Sequence, residues 1–278
     1  MSTSIQVRLD ERLQLAGALL AASDWPEREQ TVKAYKAHRV AEAAHKVFAA
    51  HSAHPAVPAV RAQDGAGEGL DRLYAHALTG DWPGELGAQA ADFAAAAGLA
   101  GFLAEHAADF AQAEADAREV LARADLRQFL VDLAGPQTRA LVFTPNLLFP
   151  GRQRVACASA AEIVVASHPP IAWGSSHPWR YAERPDESLA LISEAFARFL
   201  FAQAGVEQAE VWGAAGAVLF LRQAEGDAAG DQYLVMEKKA RGLKTLPAAV
   251  AALEPILAAR RAGQYPAGLA DYLGLLSV

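Results

Sequence analysis

Apolar residues recur at helical spacing through most of the first half of the chain, after a short opening stretch that alternates instead. Ile5–Leu9 alternates apolar and polar residues as an edge strand does, and Asp10 is placed to cap a helix running to about Ala22. Past a loop at Asp24-Trp25-Pro26, Val32, Tyr35, Val40, Ala43, Val47 and Phe48 mark a helix from Glu27 to about His51. His54-Pro55 stops it, because proline disfavours helical geometry in the residue before it. A Gly-rich turn at Asp64–Gly69 precedes a helix carrying Leu70, Leu73, Tyr74 and Leu78, and Asp81–Gly84 makes another turn. From Leu86 to Ala124 the pattern reads as two helices broken near Gly98–Gly101, or one kinked there. A further helix over Leu126–Leu133 ends at Gly135-Pro136.

The pattern then changes. Ala140–Phe149 and Arg154–Ser167 are rich in Val, Ile, Thr and Phe, which predicts two or three strands with Pro150-Gly151 between them. After a Pro- and Trp-containing loop, Leu189, Ile192, Phe196, Phe199 and Leu200 draw one apolar stripe on a helix over Asp186–Gln203, with Glu187, Glu194 and Arg198 on other faces. Helices over Glu207–Gln223 and Asp231–Arg241 flank a loop at Gly226–Gly230. Leu246–Gly263 and Leu269–Leu276 complete the chain. The expected organisation is a helical region over 1–135 and a region with strands and helices over 136–278, together one compact unit.

Composition narrows the function classes. The 278 residues are 53% apolar, enough for a large core. A net charge of −7 and a pI near 5.6 argue against a nucleic-acid binder. The single cysteine, Cys157, leaves no disulfide framework and fits a reducing cytoplasm. Arg8 and Asp10 arrive too early for a secretory signal, and no apolar run reaches the roughly 20 residues that a membrane span needs.

One motif carries chemistry by what it lacks. Ser193-Glu194-Ala195-Phe196-Ala197 has the outline of the zinc-peptidase signature His-Glu-x-x-His. There, two imidazoles four residues apart share a helix face and hold zinc, and the Glu takes a proton from the bound water. Ser193 and Ala197 cannot replace those imidazoles. The stretches LDERLQLAGALLA, YKAHRVAEAAHKVFAAHSAHPAV, FLAEHAADFAQAEADAREVLARADLRQFL, LVFTPNLL, RVACASAAEIVVAS and YLVMEKKARGLKTLPAAVAALEPILAARRAGQYPAGLADYL follow, in order, those of the DUF4932 family of zinc-peptidase-like proteins, which the chain resembles over nearly its whole length. The resemblance implies an α+β, mainly α fold: a gluzincin-like core with a small central sheet wrapped by helices. It also implies an acidic ligand on the following helix, where Trp212, Gly213 and Ala214 stand, with Glu210 the nearest carboxylate. Of the inherited machinery only Glu194, the general base, is kept. No cofactor is therefore expected.

Three readings follow. The first is an inactive peptidase relative that binds a protein or peptide through a cleft at Ser193, Glu194, Ala197, Trp212, His168, His177 and Trp179. The second is a hydrolase whose metal site is rebuilt from His168, His177 and Glu194. The third is a structural or oligomerisation role. For Glu194 the plain alternative is a solvated or salt-bridged carboxylate, with Arg198 in reach at i+4. For the histidines it is turn capping, for Cys157 an inert buried thiol, and for Gly213–Gly216 close helix packing.

Overall fold

The computed structural model describes residues 4–28, 38–65, 69–148, 154–170 and 179–264. Strand β1 (Gln6–Val7) leads into α1 (Glu11–Ala22), whose N-cap Asp10 accepts from the Arg12 amide. Where a loop is expected at Trp25, a single helical turn, α2 (Trp25–Arg28), forms. Helix α3 (Arg39–Phe48) is capped by His38, whose Nδ1 accepts from the Val40 amide at 3.2 Å. A 3-10 turn at Ala49–His51 follows. Periodicity leaves the next segment unassigned, yet it forms α4 (Ala56–Gly65), whose first amide donates to His54 Nδ1 at 3.3 Å. Pro55 thus ends one element and opens the next, since its fixed φ and missing N–H suit a helix start.

Helices α5 (Gly69–Thr79), α6 (Leu86–Ala96), α7 (Leu99–Glu105), α8 (Ala107–Leu121) and α9 (Leu126–Ala134) follow. Gly98 breaks α6 from α7 by taking φ 66°, a conformation that favours glycine. A second break, at His106, is not marked by any glycine or proline. Strands β2 (Ala140–Pro145), β3 (Arg154–Ala158) and β4 (Glu162–Ser167) come next, then α10 (Pro185–Gln203), α11 (Ala209–Glu225), α12 (Asp227–Ala240) and α13 (Leu246–Arg261). Gly230, expected in a loop, lies inside α12. The expected helix over Leu269–Leu276 falls outside the described residues.

The protein is mainly helical with a mixed four-stranded sheet in the order β1-β2-β4-β3. β3 and β4 form an antiparallel hairpin in register Arg154↔Ser167 through Ala158↔Ile163. The Asn146 amide donates to Ser167 O at 2.9 Å, so the C-terminal ends of β2 and β4 lie together and these neighbours run parallel. Both are buried along nearly their whole length, as their unbroken apolar runs require of strands covered on two faces.

The chain folds into two compact units. The described residues of one are 4–6, 119–141 and 185–264; those of the other are 7–28, 38–65, 69–118, 142–148, 154–170 and 179–184. The boundary expected at residue 135 falls inside the first unit, because α9 packs on α10, α11 and α13. Phe129 of α9 meets Phe220 of α11 with ring centroids 5.1 Å apart. In the second unit α1 packs on α3, α4, α5 and α6, and α5 lies on β3. Among the described residues no single helix is long and apolar enough to cross a membrane; α6 and α7 reach that composition only as a pair bent by 52°.

Candidate functional site

Helix α10 starts as its sequence dictates, with Pro185 at its first position and Asp186 and Glu187 in a turn where the helix dipole favours negative charge. Its apolar stripe is buried as expected at Leu189, Ile192, Phe196 and Leu200, while Phe199 is half-buried. Leu189, Ile192 and Phe196 are fully enclosed, each contributing roughly 1.5–3 kcal/mol of burial. The burial does not stop at the stripe. Ser188, Ser193, Glu194 and Ala197 are enclosed too, so the face expected to be polar is inside the fold.

The reason is α11. A Cβ on Gly213 would lie 2.7 Å from Arg198 Cβ and 2.9 Å from Arg198 Cα, and one on Gly216 would lie 3.1 Å from Ala197 Cβ. The two glycines let the α11 backbone rest directly on α10. This is the close packing expected of Gly213–Gly216, and it places Ala197, the second position of the motif outline, against a helix backbone. Ser193 spends its hydroxyl on its own helix, donating to Ala190 O at 3.2 Å.

Glu194 is 2% exposed, and its carboxylate is held from α12 and the residue after it. The Tyr233 hydroxyl donates to Oε2. Arg241 donates from one guanidinium nitrogen to Glu194 Oε1 at 2.5 Å and to Glu237 Oε2 at 2.9 Å, and from another to Glu210. Arg198, the partner expected for Glu194, approaches Glu210 at 3.6 Å. Three carboxylates therefore converge on Arg241. A buried carboxylate in this protein has a cation, and that cation is a side chain.

Of the other predicted residues, Trp212 shares the unit of Glu194 without joining this set of hydrogen bonds. Trp212 is 2% exposed on α11, its ring 6.2 Å from that of Phe201, so it is a core residue and not a cleft wall. His168 and Trp179 belong to the second unit. His168 is buried just past β4, with Nδ1 2.5 Å from Pro169 O, and the Arg184 guanidinium lies over the Trp179 ring at 4.5 Å. His177 lies outside the described residues. Among the described residues no group of three or more His, Cys, Asp or Glu side chains is arranged to hold a metal ion.

Sequence reasoning missed the residues that hold Glu194. Tyr233, Glu237 and Arg241 recur every four positions, one face of a helix. That spacing was readable, but nothing local ties it to a carboxylate some forty residues earlier. Chemically, the arrangement neutralises and fixes Glu194 where a general base would need an open path to water. Comparison of the chain with family models, with curated proteins and with solved structures gives no match.

Proposed function

We propose that the chain is a non-catalytic binding or regulatory protein on a zinc-peptidase-like scaffold, in which the former general base has become a structural carboxylate. The observation that carries this reading is the Arg241 guanidinium seated on Glu194, with Tyr233 on the second oxygen. A water-activating carboxylate works beside a metal that lowers the water's pKa toward 7. Here the residue works with a fixed organic cation and is covered by Tyr233 of α12. The order of elements supports the scaffold: an opening strand and helix, a long acidic helix, strands, and then the helix bearing Glu194. Burial of Ser193, Ala197 and Trp212 argues against a partner docking at the inherited motif, so a protein or peptide partner is received on another surface.

The test is metal analysis of dialysed protein together with incubation against a peptide library. The reading predicts no stoichiometric zinc and no cleavage that Glu194→Gln abolishes. One retained equivalent of zinc, with chelator-sensitive cleavage lost in Glu194→Gln, would establish a rebuilt hydrolase instead.

A further inference from the structure

In the second unit, three uncharged polar side chains from α1, β2 and the residue just after β2 are enclosed. Gln14 and Thr144 are fully buried and Asn146 is 2% exposed. Both amide atoms of Gln14, Thr144 Oγ1 and Asn146 Oδ1 have no hydrogen-bond partner among the described residues. Buried polar atoms are almost always satisfied, so four such atoms at one place call for a guest.

The positions converge. A Cβ on Gly17 would lie 3.6 Å from Asn146 Oδ1, 3.6 Å from the Tyr74 hydroxyl and 3.3 Å from Leu148 Cβ, which puts the C-terminal half of α1 over the end of β2. At the other end of α1, Arg12 and Arg8 reach Glu162 at the start of β4, so helix and parallel strands run the same way. Gln14, one turn before Gly17, is then level with Thr144, two residues before Asn146. Phe143 meets Tyr181 edge-on at 5.7 Å on the opposite face, which leaves Thr144 and Asn146 turned toward α1. Asn146 is held in place by donating to the Tyr74 hydroxyl at 2.9 Å and by its own amide on Ser167.

We propose that this polar cluster, between α1 and the C-terminal end of β2, is a binding site for a small neutral molecule that both donates and accepts hydrogen bonds, of the primary-amide or polyol class. The donor-acceptor balance sets the class: Gln14 offers an NH2 and a carbonyl, Thr144 a hydroxyl, Asn146 a carbonyl. Charge is excluded, because none of the three carries any and burial holds the Tyr74 phenol protonated. The site shares no residue with the Glu194 cluster, so either proposal can fail without the other.

The experiment uses the full chain with acetamide and glycerol as probes in saturation-transfer NMR, beside the near-isosteric variants Gln14→Met and Thr144→Val. The expected result is saturation of acetamide or glycerol by the native protein that falls about fivefold in each variant, as the loss of one hydrogen bond predicts. Circular dichroism confirms that the variants are folded. No saturation in the native protein, or equal saturation in folded variants, overturns the proposal. A crystal structure of the native protein decides independently of the variants. Density larger than water bridging Gln14, Thr144 and Asn146 supports the site, and ordered water only, or side chains repacked onto one another, removes it.

Discussion

Arg241 closes on Glu194 across 47 residues of sequence, donating to a carboxylate whose side chain is 3% exposed while its own is 25% exposed. Such a pair is costly to break from one side, because the remaining charge is stranded in the interior. Glu194→Ala and Arg241→Ala should each destabilise the fold by about 2–4 kcal/mol, the lower part of that range reflecting the solvent that reaches the arginine. The triple replacement Glu194→Leu, Tyr233→Phe and Arg241→Met should recover part of the loss. Urea unfolding midpoints measure all three, and a triple variant less stable than either single one would refute the arrangement.

Gly213, Gly216 and Gly101 should respond differently to the same change. A methyl gains up to about 1 kcal/mol of helix propensity at any of them. At Gly213 it meets the Arg198 backbone and side chain, for a net loss of about 2–3 kcal/mol; at Gly216 it meets Ala197 Cβ at 3.1 Å and makes an ordinary contact with Leu133 Cδ2 at 3.6 Å, so the loss is smaller. At Gly101 nothing stands within 4 Å, so Gly101→Ala should stabilise. Adding Ala197→Gly should restore Gly216→Ala but not Gly213→Ala. Thermal unfolding gives the order, and Gly213→Ala at native stability would remove the direct contact of the two helix backbones.

His38 predicts a loss of stability in mild acid. Burial lowers its pKa from 6.5 to about 4; the charge of Asp109 works the other way, and Arg39 and His106 add to the lowering. The unfolded chain thus takes up a proton between pH 6.5 and pH 4 that the folded chain refuses, and stability falls as pH drops through that window. Allowing for partial exposure, the loss is on the order of 1–2 kcal/mol. His38→Asn, which keeps a capping side chain, should flatten this part of the profile in urea titrations run at several pH values.

Cys157 should be silent toward thiol reagents in the native state. Its side chain lies in β3, and burial first, then the nearby charges of Asp71, Asp10 and Glu162, push the thiol pKa well above its ordinary value. A chromogenic disulfide should react at the rate of unfolding, and fast labelling in native buffer would contradict the placement.

Much of this fold could be read from the sequence where one local signal sufficed. Asp10 capping α1, Gly98 breaking α6 from α7, the Val- and Ile-rich strands and the α10 stripe were all of this kind. Helix α4 was missed because Pro55 announces a stop and a start with the same residue. The break at His106 has no glycine or proline to mark it. The site was harder, for a different reason. Glu194 was expected on a solvated or cleft-lining face, and it is enclosed with Tyr233 and Arg241, which lie far along the chain. Gln14, Thr144 and Asn146 are ordinary polar residues in sequence, and their interest lies entirely in being enclosed together.

The strand order has a bearing on how the chain assembles. β4 reaches β3 through the tight turn after Ala158, but it reaches β2 only after the chain has passed out and back, and β1 must find β2 across more than a hundred residues. Loop-closure entropy rises with the length enclosed, so the hairpin should zip first, dock on β2 next, and receive the N-terminal strand last. Pulse-labelled amide exchange during refolding should find Cys157 and Val164 protected before Phe143, and Phe143 before Arg8.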